Sequence, residues 1–487
     1  MNSKKNKFTE KQFIFYGLNF IVGFGFIATI SSVISRGLWG ILIFALTAFI
    51  SMTVMLAFAR ASQSYGKEVG GTYVYAKKAF SDKRKILFLQ GWNQFSQVPL
   101  FSATTPLFFI DLLKEIDSGN QTIYQICALV FFVLLNVICS FGIKTSKWFI
   151  LFTGIIKWLT IGLGLSIVTF YSFSTLSFGA NFKNTPNVDI SIIVTSVLSF
   201  IYAFAGGEGL AGVSSEVETK RFKKIIMLIF GIVLVFYFTF YIVYLGLDSA
   251  VFNESTSISF ALIFKVSLGS VGVIILFIIG TFFNRVGAGI SSIIYYARTV
   301  VPLAQDDFIP GIFAKKSKKT GEYRNAILFQ SAFSIISMII FTIIPYFLGI
   351  KDQFSAILNA GNIVFLMQYL FTICTLLYLS WKRKEFVIPV WEKIVYICSI
   401  ILISFIVLTS LIPPIIGTSY TAESALLLPS YMGIMLIGYL IWGGWYLIKK
   451  KWPNNRFVWK EDEIMINNQN KTMSSPLIYW SEKSKKH

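Results

Sequence analysis

Residues 16–34 read YGLNFIVGFGFIATISSVI. The stretch is nearly all apolar, and at about 1.5 Å per residue it can cross a hydrocarbon core of roughly 30 Å. Its centre is Gly23-Phe24-Gly25. Each glycine weakens a helix by about 1 kcal/mol relative to alanine, and the pair lets the backbone open. Opened backbone in lipid leaves N–H and C=O groups without partners, which is tolerated only where it lines a cavity or is buried in protein. Residues 199–213 (SFIYAFAGGEGLAGV) repeat the pattern at Gly206-Gly207-Glu208-Gly209. Paired interrupted spans in the two halves of a chain point to a transporter's solute site.

Outward from those two stretches, the whole chain reads as membrane protein. It has 487 residues, 55% of them hydrophobic, and a mean hydropathy of +0.69, which excludes ordinary soluble classes. Only 14% of residues are charged, yet the formal net charge is +20. In a soluble protein that excess suggests nucleic acid. Here the basic residues fall between apolar runs, so no nucleic-acid partner is expected and the positive-inside rule gives the better account.

Twelve apolar runs are long enough to span a bilayer, at about 12–34, 37–60, 86–112, 122–142, 146–171, 190–213, 225–247, 269–297, 325–349, 354–381, 394–416 and 426–448. With both termini in the cytoplasm, 36 Lys and Arg residues lie inside and 5 outside (Arg36, Lys114, Lys183, Lys265, Lys351). Shifting the frame by one span destroys that asymmetry. The expected organisation is a cytoplasmic N-terminus (1–11), a first repeat (12–171), a second (190–381), two further spans (394–448) and a cytoplasmic tail (449–487). Lys4, Lys5, Lys7 and Lys11 precede a first run too long for a cleaved leader. In the connection after the second span, residues 70–80 (GGTYVYAKKAF) read as an amphipathic segment along the inner membrane surface.

Some chemistry is absent. The one histidine is His487, the last residue, so histidine-based nucleophilic catalysis or metal ligation has nothing to work with. Cys127, Cys139, Cys374 and Cys398 lie in apolar segments without metal-ligand spacing and read as small hydrophobes. No cofactor, metal or enzymatic activity is expected.

Depth picks out the remaining candidates. Eleven residues from Gln12 place Gly23 about 16 Å into the membrane, and the Gly206-Gly207 break approaches that level from the opposite face. Half-helices of opposed direction then meet near the midplane, presenting N–H groups to an anion and carbonyls to a cation. A zwitterionic amino acid carries both charges a few bonds apart and suits this arrangement. Lys157 lies about 16 Å from the inner end of its span, where an ammonium is costly unless it is partnered. It is either a static tether or the group that takes and releases a coupling proton, with Ser291 and Ser292 as neighbours. Glu208, just past the second break, either caps the following half-helix or gates the cavity. Arg285, near mid-depth, either pairs with Glu208 or holds an acidic solute.

Gly23-Phe24-Gly25-Phe26-Ile27 resembles the glycine-broken first helix of the amino acid–polyamine–organocation transporters. Phe204-Ala205-Gly206-Gly207-Glu208, followed by Glu216-Val217-Glu218-Thr219-Lys220, looks like that family's broken sixth helix, although the usual proline is missing at Lys220. Gly70-Gly71-Thr72-Tyr73-Val74-Tyr75 with Ala79-Phe80 resembles its second-to-third loop, and Tyr296-Ala297-Arg298 through Pro310 the end of its eighth helix. The resemblance covers most of residues 8–385. It implies an all-α membrane protein of twelve transmembrane helices, with two inverted five-helix repeats of the LeuT-like type followed by helices 11 and 12. It implies substrate contact through the backbone around Val22, Gly23, Phe24, Gly25 and Phe26, and around Tyr202, Ala203, Phe204 and Gly206. Tyr202 takes the place of an aromatic gate, although it reads equally as a packed ring. Lys157 takes the place of a sodium ion.

The expected function is secondary active amino acid transport by alternating access, with proton-coupled uptake, in a bacterial plasma membrane. An amino acid exchanger, glutamate-type with a tail plug, and a non-transporting sensor are the alternatives.

Overall fold

A computed structural model splits the first apolar run into two helices. Thr9 and Gln12 cap each other reciprocally (Gln12 N to Thr9 Oγ1, 3.4 Å; Thr9 N to Gln12 Oε1, 3.0 Å) and open α1, Glu10–Ile21. Such a box satisfies two of the amide donors a helix start leaves free. Helix α1 stops at Val22, whose backbone is extended, and α2 resumes over Phe24–Ile34.

The structure describes residues 9–65, 71–101, 104, 107, 110, 119–140, 143–183, 187–212, 214, 217, 219, 221–247, 271–317, 323–347 and 353–452. At some helical positions, Phe24, Arg285 and Ser291 among them, it describes the backbone alone. The tail from 453 onward, with its suggested plug, lies outside the described residues.

The chain continues through α3 (Trp39–Tyr65), α4 (Thr72–Phe80), α5 (Arg84–Phe95), α6 (Gln121–Ser140), α7 (Ile143–Thr175), α8 (Phe178–Lys183) and α9 (Ile190–Phe200). A 3₁₀ turn at Ile201–Phe204 leads to the short α10 (Gly207–Gly212). Then come α11 (Phe222–Leu245), α12 (Val271–Gln305), α13 (Arg324–Phe347), α14 (Gln353–Lys382), α15 (Val390–Leu411) and α16 (Ala422–Lys451). Among the described residues there is no β-strand. Among the described residues, seven helical stretches are long and apolar enough to cross a membrane: Trp39–Tyr65, Phe152–Thr175, Ile190–Ala211, Phe222–Leu245, Phe354–Lys382, Val390–Leu411 and Ala422–Lys451.

Helix α7 shows how these spans are built. Ile155, Leu159, Leu163 and Phe170 are exposed along one stripe, at the spacing of successive helical turns. Thr153 and Lys157 are buried on the opposite side, where α7 packs along α12. The apolar stripe suits lipid, and the polar residues turn inward.

One expectation is corrected. Residues 72–80 do not present an open apolar face; they are packed within the protein. In α4, Thr72, Tyr73, Val74, Tyr75, Ala76 and Ala79 are buried, and the helix packs on α5 and α14. Its tyrosines account for this. Tyr75 shares a 2.9 Å hydrogen bond with Ser62, and Tyr73 donates to Asp306. Burial, then the Asp306 carboxylate, hold the Tyr73 phenol well above its ordinary pKa. The helix that holds the eighth apolar run continues beyond it. Helix α12 passes through Pro302 to Gln305 and turns at Asp307, which takes the left-handed conformation (φ 62°).

That corner is tied down by two lysines and a tyrosine. Asp306 receives Lys77 (2.5 Å) as well as Tyr73, and Asp307 receives Lys449 at the end of α16. On a different set of helices, the buried Glu392 carboxylate of α15 takes Arg60 of α3 and Lys223 of α11, the latter at 2.6 Å.

Candidate functional site

The second break is sharper than the first. Helix α9 ends against α14, where Asn362 Nδ2 donates to Leu198 O (2.8 Å) and Ser199 Oγ donates to Asn359 Oδ1 (2.7 Å). The chain tightens into the 3₁₀ turn, extends at Ala205 (ψ 144°) and reverses at Gly206, whose φ of +123° is open only to glycine. The Glu208 carboxylate folds back onto the Gly206 amide (3.1 and 3.3 Å). Glu208 thus accepts from the amide that precedes α10.

The two breaks touch. A β-carbon at Gly25 would come 2.5 Å from Tyr202 O and 3.1 Å from the Tyr202 ring. Only a residue with no side chain lets α2 approach the 3₁₀ turn this closely. Gly23 faces a different wall, with Lys157 Nζ and Asn284 Oδ1 just beyond the space a β-carbon would take (3.8 and 3.6 Å).

Between the breaks lies a cavity of about 160 Å³. Its size is close to that of an engineered cavity of about 150 Å³ that admits benzene. Gly23, Gly25, Tyr202 and Gly206 line it, with Lys157 and Asn284 on one side and Glu208, Tyr295 and Tyr296 on another. Phe101 stacks on Tyr202 (centroids 5.0 Å apart, 20° between planes) and meets Phe365 edge-on at 5.5 Å. All three rings line the cavity. At the end nearest α1, Tyr16 and Phe20 stack at 5.9 Å, and Phe20 leans on Gly206 and Gly209.

The Lys157 ammonium donates to Asn19 O at 2.5 Å. Asn19 is in the last full turn of α1 before the break, where carbonyls lack helical partners. That is the one hydrogen bond Lys157 makes among the described residues; its remaining N–H groups stand at the cavity wall. Asn19 lines the same wall, and its Oδ1 is buried with no hydrogen-bond partner among the described residues. The site thus places an ammonium donor and an orphaned acceptor side by side, against the opened backbone at Gly23.

A polar chain leads from the cavity toward α4. Tyr369 donates to Glu208 Oε2 (3.3 Å), Gln94 Nε2 to Tyr295 (3.2 Å) and Tyr296 to Gln97 Oε1 (3.3 Å). Gln97 donates to Gln368, whose amide reaches Thr72 Oγ1 at 2.7 Å. Among the described residues Glu208 has no ion-pair partner. The pairing of Glu208 with Arg285 rests on a side chain outside the described residues, as does any contact of Ser291.

Of the residues expected from sequence, Gly23, Gly25, Lys157, Tyr202, Gly206, Glu208 and Ser292 meet in this one cavity. Val22, Phe26, Ala203 and Phe204 are buried beside it. Phe26 stacks on Tyr237 (4.1 Å, 11°), and Phe204 packs on Phe200, Phe230 and Tyr237. Asn19, Asn284, Phe101 and Tyr237 were not singled out from sequence. The two asparagines had a signal, because each is an amide within an apolar run. Tyr237 had none, being one tyrosine among 22.

The family model described as amino acid permease matches residues 8–453 of the chain, and so spans both breaks and the whole cavity. The chain belongs to the amino acid permease family. As a permease of this superfamily it is a multi-pass membrane protein, and its family points to a transporter rather than an enzyme. It is similar to the uncharacterized protein MG225 of Mycoplasma genitalium, with 32% identity over 91% of this chain and 95% of that protein. It is also similar to the uncharacterized protein MG226 of the same organism (29%, 90% and 96%) and to the MG226 homolog of Mycoplasma pneumoniae (29%, 84% and 89%).

Proposed function

We propose that this permease is a secondary active transporter that carries an amino acid inward with a proton, by alternating access around the cavity between the two breaks. The observation that carries this reading is the contact of Gly25 with Tyr202 beside the Lys157–Asn19 pair. Two interrupted helices abut, and a buried ammonium is bonded to the end of one of them. Twelve spans in two inverted five-helix repeats, followed by two more, with both termini in the cytoplasm of a bacterium, complete the reading.

In this reading the solute carboxylate lies against the N-terminal amides of α2 and the free N–H groups of Lys157. Its ammonium takes the orphaned Asn19 Oδ1 and the carbonyls of the 3₁₀ turn. The stacked rings of Phe101 and Tyr202 form the outer lid. Lys157 carries the coupling proton: charged, it holds Asn19 O and keeps α1 in place; neutral, it loses the strength of that charge-assisted bond and frees α1 to move. Removing an ammonium from hydrocarbon depth also removes a large desolvation cost, so the two states differ by enough to bias a conformational equilibrium.

The test is accumulation of radiolabelled amino acids in proteoliposomes, with and without an inward proton gradient. Accumulation that depends on the gradient supports the reading. Exchange of internal for external label with no gradient dependence makes the protein an exchanger. A folded protein that moves no label is not a carrier.

A further inference from the structure

Tyr237 of α11 takes no part in the cavity wall, yet it touches both breaks at once. Its hydroxyl lies 2.9 Å from Ala203 O and 3.2 Å from Ile21 O. Ile21 is the last residue of α1, and Ala203 sits in the 3₁₀ turn that ends the first half of the other interrupted helix. Both carbonyls belong to chain that has left its helical ladder, at a depth with no water to satisfy them. The ring is held as firmly as the hydroxyl. It is fully buried, stacks on Phe26 of α2 and meets Phe204 edge-on at 5.2 Å. One side chain therefore pins residues just before and just after the first break to the turn at the second.

A hydroxyl has one proton to give, and two carbonyls face it. The shorter distance assigns the stronger bond to Ala203, with Ile21 the weaker acceptor. Such a shared donor can pass from one carbonyl to the other when the two half-helices shift, so neither is stranded for long. A bond to a single carbonyl would hold one element and release the other.

We propose that Tyr237 is a positioning residue that keeps the two breaks in register through the transport cycle by sharing its hydroxyl proton between the carbonyls of Ile21 and Ala203. It touches neither solute nor proton carrier, so it governs how fast the breaks rearrange rather than how tightly the solute binds. The inference rests on the transporter reading.

The experiment compares wild type, Tyr237→Phe and a variant with 4-aminophenylalanine at this position, in proteoliposomes supplied with a radiolabelled mixture of the twenty amino acids. The aniline group keeps ring and size, and it offers two N–H donors, one for each carbonyl. For Tyr237→Phe the maximal uptake rate falls about tenfold or more, while the half-saturating concentration stays within about twofold. The aminophenylalanine variant recovers a rate within about threefold of wild type. A loss of ring packing alone predicts neither this split nor this rescue.

Wild-type rates in Tyr237→Phe overturn the proposal, as does a folded aminophenylalanine variant no faster than the phenylalanine one. If Tyr237→Phe does not fold, the aminophenylalanine variant decides alone. Folded and transporting, it supports the shared-donor role; unfolded or inert, it overturns it. Wild-type protein that moves no label overturns the transporter reading itself, which a defect confined to the variants does not.

Discussion

Placing a methyl group at Gly25 is the sharpest perturbation the structure offers. The new β-carbon would sit 2.5 Å from Tyr202 O, against the 3.4 Å at which ordinary contact begins, so one of the two backbones must retreat by 0.9 Å. The obstacle is main chain at the second break, which cannot rotate away as a side-chain tip would. Overpacking of this kind costs about 1–3 kcal/mol. A misplacement of about 1 Å at a site that positions reacting or binding groups costs on the order of 10²-fold in rate. Gly25→Ala is therefore expected to fold with a lowered melting temperature and to lose roughly 10- to 100-fold of its uptake. Two glycines calibrate the effect. Gly162, on α7, has nothing within 4 Å of its β-carbon position. Alanine there leaves uptake unchanged and strengthens the helix by up to about 1 kcal/mol. Gly23→Ala meets Asn284 Oδ1 and Lys157 Nζ at 3.6 and 3.8 Å; it folds without strain but narrows the solute site, so its uptake falls between the other two. The assay is uptake of a labelled amino acid mixture into proteoliposomes, with detergent thermal stability measured on the same preparations. Equal uptake and stability for Gly25→Ala and Gly162→Ala would refute the close approach of the two breaks.

Other substitutions separate structural from transport roles. Lys157→Met removes an expensive buried charge and keeps its length, so the protein stays as stable as wild type while gradient-driven accumulation falls at least about tenfold; full accumulation would remove the coupling role. Glu208→Gln keeps an oxygen for the Gly206 amide and leaves the melting temperature unchanged, whereas Glu208→Ala loses about 1 kcal/mol as an N-cap does. Thermal denaturation of the two variants decides whether capping is the carboxylate's structural role. Glu392→Ala leaves Arg60 and Lys223 without their buried partner and destabilises by about 3–5 kcal/mol. Asp307→Asn keeps a residue suited to the left-handed turn, breaks the half-exposed ion pair with Lys449 and costs no more than about 1 kcal/mol; equal losses in the two would contradict the difference in burial (0% against 44% exposed at the carboxylate).

How much of this was legible in the sequence depends on what each residue is judged against. The breaks were legible because two glycines in a span have no use in a lipid-facing helix. Lys157 was legible because a charge at mid-depth demands a partner. The partner itself, Asn19 O, was not, since backbone carbonyls look alike in a sequence and only the end of α1 frees this one. Residues 72–80 misled for a related reason. Their apolar and basic spacing fits a surface helix, and the reason for their burial, the hydroxyl contacts of Tyr73 and Tyr75, lies with Asp306 and Ser62, elsewhere in the chain. Tyr237 was illegible altogether, because what distinguishes it is two carbonyls from two distant segments.

The most direct test of the central claim is a structure with bound solute. A thermal-shift screen of the twenty amino acids on purified protein identifies one that stabilises it by mass action, and that amino acid is then added at saturation for electron cryomicroscopy. The account predicts density between Gly23–Gly25 and Tyr202–Gly206, within reach of Lys157 Nζ and Asn19 Oδ1. Density elsewhere, with this cavity empty at saturation, would contradict it.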